Sequence, residues 1–195
     1  MSLNRKAVFT IAAVAALAVG FIAVPAAFSQ SMGEKTVMVG GAPMYPSKNI
    51  IQNAVNSKDH TTLVAAVKAA GLVDTLQGPG PFTVFAPTNE AFAQLPKGTV
   101  ETLLKPENKD KLVKILTYHV VPADAMASTI KQMIKDDGGQ HTITTVSGGR
   151  LVAMMRHGKI ELQDENGNVA TVTIANVKQS NGVIHVIDQV ILPPM

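Results

Sequence analysis

The last third of this chain is cut at short intervals by glycine-bearing pairs: Gly148-Gly149, His157-Gly158, Asn166-Gly167 and Asn181-Gly182. Between the cuts the residues are β-type, in runs from Ile143 to Val146, Leu151 to Met155, Lys159 to Leu162, Val169 to Val177 and Val183 to Leu192. Tight hairpin turns need residues that tolerate positive φ, and Asn-Gly supplies them. The pattern predicts a meander of strands, which limits the fold more than any other feature of the sequence.

The stretch before it has a helical period. Ile50, Ile51, Ala54 and Val55 mark one face of a short helix that Ser47 or Asn49 could cap. A second helix is expected from Asp59 as N-cap through the stripe Leu63, Val64, Ala66, Val67 and Ala70 to Gly71, followed by a turn at Gly78-Pro79-Gly80-Pro81. Phe82 to Ala86 reads as a buried strand stopped by Pro87, and Thr88 as the cap of a short helix reaching Leu95. Thr99 to Leu104 is another helical turn or two, and Pro106 opens a longer helix that buries Leu112, Val113, Ile115 and Leu116. Tyr118 to Val121 is expected to be extended, and Ala123 to Ile134 helical. Helices followed by a strand meander indicate an α+β domain with one early strand drawn into the later sheet.

Two further segments precede the domain. Asn4-Arg5-Lys6 is a basic head, Ala7 to Val24 carries no charge, and Ala27 and Ser29 are small residues at a peptidase-like site. This is the form of an export signal over residues 1–29, cleaved after Ser29, with an uncleaved anchor as the alternative. Residues 30–45, rich in glycine and proline, read as a flexible lead-in to a domain over residues 46–194. Removing the signal takes two of the 17 basic residues and none of the 14 acids, leaving a net charge of +1. The pI near 9.2 therefore does not describe the exported chain, and no nucleic acid partner is expected. With no cysteine, disulfides, thiolate metal sites and lipidation of an N-terminal cysteine are excluded.

Three segments carry a family resemblance. Thr83-Val84-Phe85-Ala86-Pro87-Thr88-Asn89-Glu90-Ala91-Phe92 resembles the first signature box of the fasciclin (FAS1) domain family, and Ile115 to Val121 is similar to its central Tyr-His motif. Asn181-Gly182-Val183-Ile184-His185-Val186-Ile187-Asp188 and the residues to Pro193 resemble the second box. The resemblance implies a single FAS1 domain: a wedge-like β-sandwich of about seven strands with helices packed along one side. It also implies a secreted or periplasmic, non-enzymatic module for adhesion, matrix or envelope contacts, without a cofactor. Its partner would be a cell-surface or matrix protein or a polysaccharide, met by a monomer with no stable membrane insertion once the signal is removed.

The box residues Thr83, Phe85, Pro87, Thr88, Phe92, Asn181, Gly182 and His185 read first as structural, a core strand with a capped helix and a second buried strand. Tyr118, His119 and Asp188 are the candidate binding residues that the resemblance implies. His119 has a second and preferred reading, a neutral buried imidazole that hydrogen-bonds backbone and locks the helix-to-strand joint. Asp188 could cap or pair with a backbone amide. Alternation along Val183 to Val190 leaves the inward face of the last strand open.

Catalytic patterns are missing. The five histidines form no i, i+4 pair, Ser147-Gly148-Gly149 lacks the upstream glycine of a nucleophile elbow, and Gly78-Pro79-Gly80 comes before a strand where a phosphate loop comes after one. Asp164-Glu165-Asn166-Gly167-Asn168 imitates the start of a calcium loop but has Val169 at the glycine position and Ala175 at the glutamate position, so a hairpin turn is expected and no metal. The competing functional reading is a small-ligand carrier or weak enzyme using a pocket between sheet and helices.

Overall fold

The computed structural model describes residues 35–194. The segment read as an export signal, with its cleavage site, lies outside the described residues. Val37–Val39 (β1) and Ala42–Met44 (β2) form an antiparallel hairpin that turns at Gly40 and Gly41, with φ of 57° and 75°. These residues are ordered, in contrast to the flexible lead-in expected through residue 45, and the domain begins before residue 46. The reason is burial: Val39 and Met44 join the helical core, and a Cβ on Gly40 would lie 2.3 Å from Ser57 Oγ.

Ile50–Ala54 (α1) starts at Asn49, whose side chain accepts from the Gln52 amide while Gln52 Oε1 accepts from the Asn49 amide. A 3-10 turn over Lys58–His60 leads into Thr61–Ala70 (α2), which ends on Gly71 at φ 73°. Asp59 lies inside that turn and does not cap α2. The Thr62 amide donates instead to Asn89 Oδ1 at 3.0 Å, a partner 27 residues away. Val73–Gln77 (α3) was not visible in the sequence, because five residues cannot establish a helical period. Phe82–Pro87 (β3), Asn89–Ala93 (α4) and Thr99–Leu103 (α5) follow as expected, with Thr88 Oγ1 accepting from the Ala91 amide.

Lys109–Tyr118 (α6) follows a 3-10 turn that begins at Pro106. Tyr118 is its last residue and His119 its C-cap, so only Val120–Val121 (β4) of the expected extended segment is strand. Ala127–Asp136 (α7) precedes Gln140–Thr144 (β5), Arg150–Arg156 (β6), Lys159–Gln163 (β7), Val169–Gln179 (β8) and Gly182–Ile187 (β9). The last strand stops short of the Leu192 expected for it.

The seven strands β3 to β9 form one sheet in the order β4-β3-β9-β8-β7-β6-β5. Only the β3–β9 pair is parallel, which confirms that an early strand enters the later sheet. The two ends of the sheet come together where the Val146 amide, just beyond β5, donates to the Val120 carbonyl at 2.8 Å, so the sheet curls almost into a barrel. Every one of the seven strands contributes to an inner core that includes Phe85, Leu151, Leu162, Val172 and Ile187 and is completed by α7. A second core, with Ile184, Val186, Leu63, Val67 and Leu116, lies between the outer face of β3 and β9 and the helices packed along that side. Both faces of β9 are therefore buried, which is why its alternation did not reveal an inward side.

Candidate functional site

The Tyr-His motif lies where α6 turns into β4. His119 is 2% exposed, and its Nδ1 lies 2.8 Å from the Ile115 carbonyl while Nε2 is 3.2 Å from the Ile191 amide. The amide can only donate and the carbonyl can only accept, so Nδ1 carries the proton and Nε2 its lone pair. Burial pushes the imidazole down to about 4, opposed by the Ile115 carbonyl and by the charge of Asp164. His119 is neutral at pH 7, with both nitrogens committed to backbone.

Tyr118 is fully buried beside it. Its hydroxyl donates to the Arg150 carbonyl at 2.5 Å and accepts from the Glu165 amide at 3.3 Å. Burial raises the phenol to about 12, against the lowering effect of the Glu165 amide. The ring packs so closely under Gly149 that a Cβ there would fall 2.5 Å from Cε2. Neither ring presents surface to a partner. Above Tyr118 lies an open polar cleft of about 330 Å³, bordered by Lys114, Ser147, Arg150 and Glu165. Asp188, half-buried at the end of β9, accepts from the Thr171 amide at 2.7 Å, and its carbonyl accepts from Gln94 Nε2.

The remaining motif residues form a scaffold around the parallel pair. His185 stacks on Phe85 with ring centroids 5.7 Å apart, donates from Nε2 to the Ala125 carbonyl and accepts the Asn176 amide on Nδ1. Burial lowers its basicity too. Thr83 Oγ1 donates to the Ala123 carbonyl and accepts from the Ala125 amide, so β3 and β9 together hold the strand-to-α7 connection. Pro87 closes β3, and Phe92 anchors α4 in the helical core. Asn181 accepts from the Ile50 amide and donates to the carbonyls of Leu76 and Gly78, tying α1 and α3 to the start of β9. Gly182 is required by close approach: a Cβ would lie 1.9 Å from the Phe82 carbonyl oxygen.

Asp164 is spent on structure as well. Its carboxylate accepts from the amides of Asn166, Asn168 and Leu192 and from the Asn168 side chain, closing the β7–β8 hairpin against the C-terminal segment. Among the described residues no three His, Asp or Glu side chains are grouped to hold a metal ion. Sequence reasoning missed Asn89, Asn176 and the buried Ser57–His60 pair. Asn176, at φ 61° in an irregular part of β8, accepts from the Ala127 amide and so caps α7 from 49 residues away. No local pattern marks such a residue, because its partner is distant in the chain. The Ser57 Oγ to His60 Nδ1 contact of 2.9 Å joins two residues three apart, but Gly40 packs directly over Ser57 and leaves no room for a substrate there.

A curled sheet of seven strands with helices along one side, its motif residues turned inward as structural ties, defines an α+β scaffold domain. The chain belongs to the fasciclin domain family, which it matches over residues 58–193. It is 52% identical to Protein sll1483 of Synechocystis sp. over 83% of each chain. It is also 30% identical to immunogenic protein MPB70 of Mycobacterium bovis, over 95% of this chain and 97% of that one. A FAS1 domain pair from the insect cell adhesion molecule fasciclin I superposes with a TM-score of 0.68 at 15% identity, over 82% of this chain and 58% of that structure, and shares the fold.

Proposed function

We propose that this chain is an exported, monomeric, non-enzymatic interaction module contributing to adhesion, matrix or cell-envelope contacts, with a cell-surface or matrix protein or polysaccharide as partner. The observation that carries this reading is the use of Tyr118 as an internal prop. Its hydroxyl holds the Arg150 and Glu165 backbone, and its ring supports Gly149, so a buried residue shapes the cleft bordered by Lys114, Arg150 and Glu165. Recognition by surface loops on a rigid scaffold suits a domain whose motif side chains are consumed internally. Family membership supports an extracytoplasmic setting, and no helix among the described residues is long and apolar enough to cross a membrane.

The test compares a deletion strain with one complemented by the wild-type chain and one complemented by Lys114→Glu/Arg150→Glu, a surface variant whose folding is checked by circular dichroism. Loss of surface attachment or aggregation on deletion, restored by wild type and not by the folded variant, is the expected result. Unaltered attachment, aggregation and biofilm in the deletion strain would overturn the reading.

A further inference from the structure

Four separate stretches of chain border the cleft above Tyr118: Lys114 on α6, Ser147 to Arg150 at the β5–β6 turn, Glu165 at the β7–β8 turn, and Pro193 with Pro194 beyond β9. Its volume of about 330 Å³ lies at the small end of ligand sites, which run from roughly 300 to 1,000 Å³, so it has room for a unit the size of one ring. Its floor is fixed, because the Tyr118 hydroxyl ties the Arg150 carbonyl to the Glu165 amide.

Two cations border it without a counter-ion. The ion pairs among the described residues are His141–Asp137 and Arg156–Glu161, so Arg150 and Lys114 belong to none. Glu165 is the acid at hand, but its Oε1 accepts from the Arg150 backbone amide at 2.6 Å and the carboxylate makes no ion pair with the guanidinium. Lys114 Nζ donates to the Pro194 carbonyl at 2.9 Å, which steadies the ammonium and leaves two of its three protons. We propose that this cleft binds an acidic polysaccharide through one hexuronate ring, with the sugar carboxylate between Arg150 and Lys114 and a ring hydroxyl donating to Glu165 Oε2.

Three features select that class. A planar carboxylate matches the donor fork of a guanidinium, and a second cation beside it strengthens the pair. The remaining carboxylate oxygen of Glu165 only accepts, so it calls for a ligand that also carries hydroxyl donors, which a sugar ring does and an acidic side chain of a peptide does not. The backbone of the walls is already used: the Gly149 carbonyl accepts from Thr145, the Leu192 amide donates to Asp164, and the Leu192 and Pro193 carbonyls accept from Asn166. No strand edge is therefore left there for an extended peptide to join. Gly148 and Gly149, without side chains, and the two proline rings leave room for the C–H face of a pyranose. This inference rests on the reading of the cleft as the recognition surface and names its partner.

The experiment titrates the intact protein with trigalacturonate and follows the backbone amides of Gly148, Gly149 and Glu165 by ¹⁵N NMR. Saturable shifts that weaken with added salt are expected, and the neutral methyl ester of the same trisaccharide produces none. Arg150→Ala and Lys114→Ala, both at exposed positions, weaken binding at least several-fold, whereas Lys105→Ala, outside the cleft, leaves it unchanged. Should either variant fail to fold, Arg150→Lys, which keeps the charge and loses the fork, must still bind more weakly than wild type. Absent or unsaturating shifts, equal binding of the methyl ester, of triglutamate or of a sulfated neutral trisaccharide, or full binding by the cleft variants would each overturn the proposal. Uronate binding by the pure protein beside an unaffected deletion strain would keep this site and sink the adhesion reading; lost attachment on deletion without uronate binding would do the reverse.

Discussion

At the α6–β4 joint a histidine is kept neutral by the fold, and that ties stability to pH. His119 titrates near its ordinary 6.5 when unfolded and at about 4 in the native chain. Between those values the unfolded state binds more protons, so the contribution of His119 is fully present above pH 6.5 and is lost as pH falls toward 4. A shift of this size corresponds to about 3 kcal/mol. Burial lowers His60 and His185 as well, so their contributions have the same sign. Urea unfolding is expected to show stability falling between pH 7 and pH 4.5. His119→Gln is expected to be about 1–3 kcal/mol less stable at pH 7 and to have a shallower pH slope. Parallel pH profiles for the two proteins would remove His119 as the source. The sequence made the Tyr-His pair visible, but the Ile191 amide that selects its tautomer arrives from 72 residues away.

Among the elements, caps divide into those made by neighbours and those made at a distance. Asn49 and Thr88 cap their own helices and were legible from residue type and position. Asp59 had the right residue type before α2, yet Asn89 does that work because β3 brings the start of α4 beside it. Asn89→Ala is accordingly expected to cost about 1–2 kcal/mol in chemical denaturation, and Asp59→Ala no more than about 0.5 kcal/mol. The reverse order would restore Asp59 as the cap. Glycines divide in the same way. Gly148 and Gly167 turn hairpins with open space around them, whereas Gly182 is needed because Phe82 of the parallel strand lies against it. The Asn-Gly pair at Asn181 therefore begins a strand and anchors two helices, a role that its resemblance to the other turns concealed.

On the scale of the whole molecule, the N-terminal hairpin belongs to the folded domain. Val39 and Met44 pack in the helical core, and the Tyr45 backbone satisfies buried Asn53. A chain shortened to begin at Pro46 is expected to lose at least about 3 kcal/mol, the burial of two large apolar side chains, seen as a lower denaturation midpoint. An unchanged midpoint would return these residues to the status of a linker. What the sequence determined by itself was local: turns where glycine relieves φ, helix starts with a capping side chain, the strand meander and the motifs that mark the family. These depend on interactions within a few residues, which chain order preserves. Only the tertiary structure decided that β3 pairs parallel with β9, that β4 and β5 nearly close the sheet, and that both faces of β9 are buried. Each of these depends on groups far apart in the chain, and nothing local to either group records their meeting.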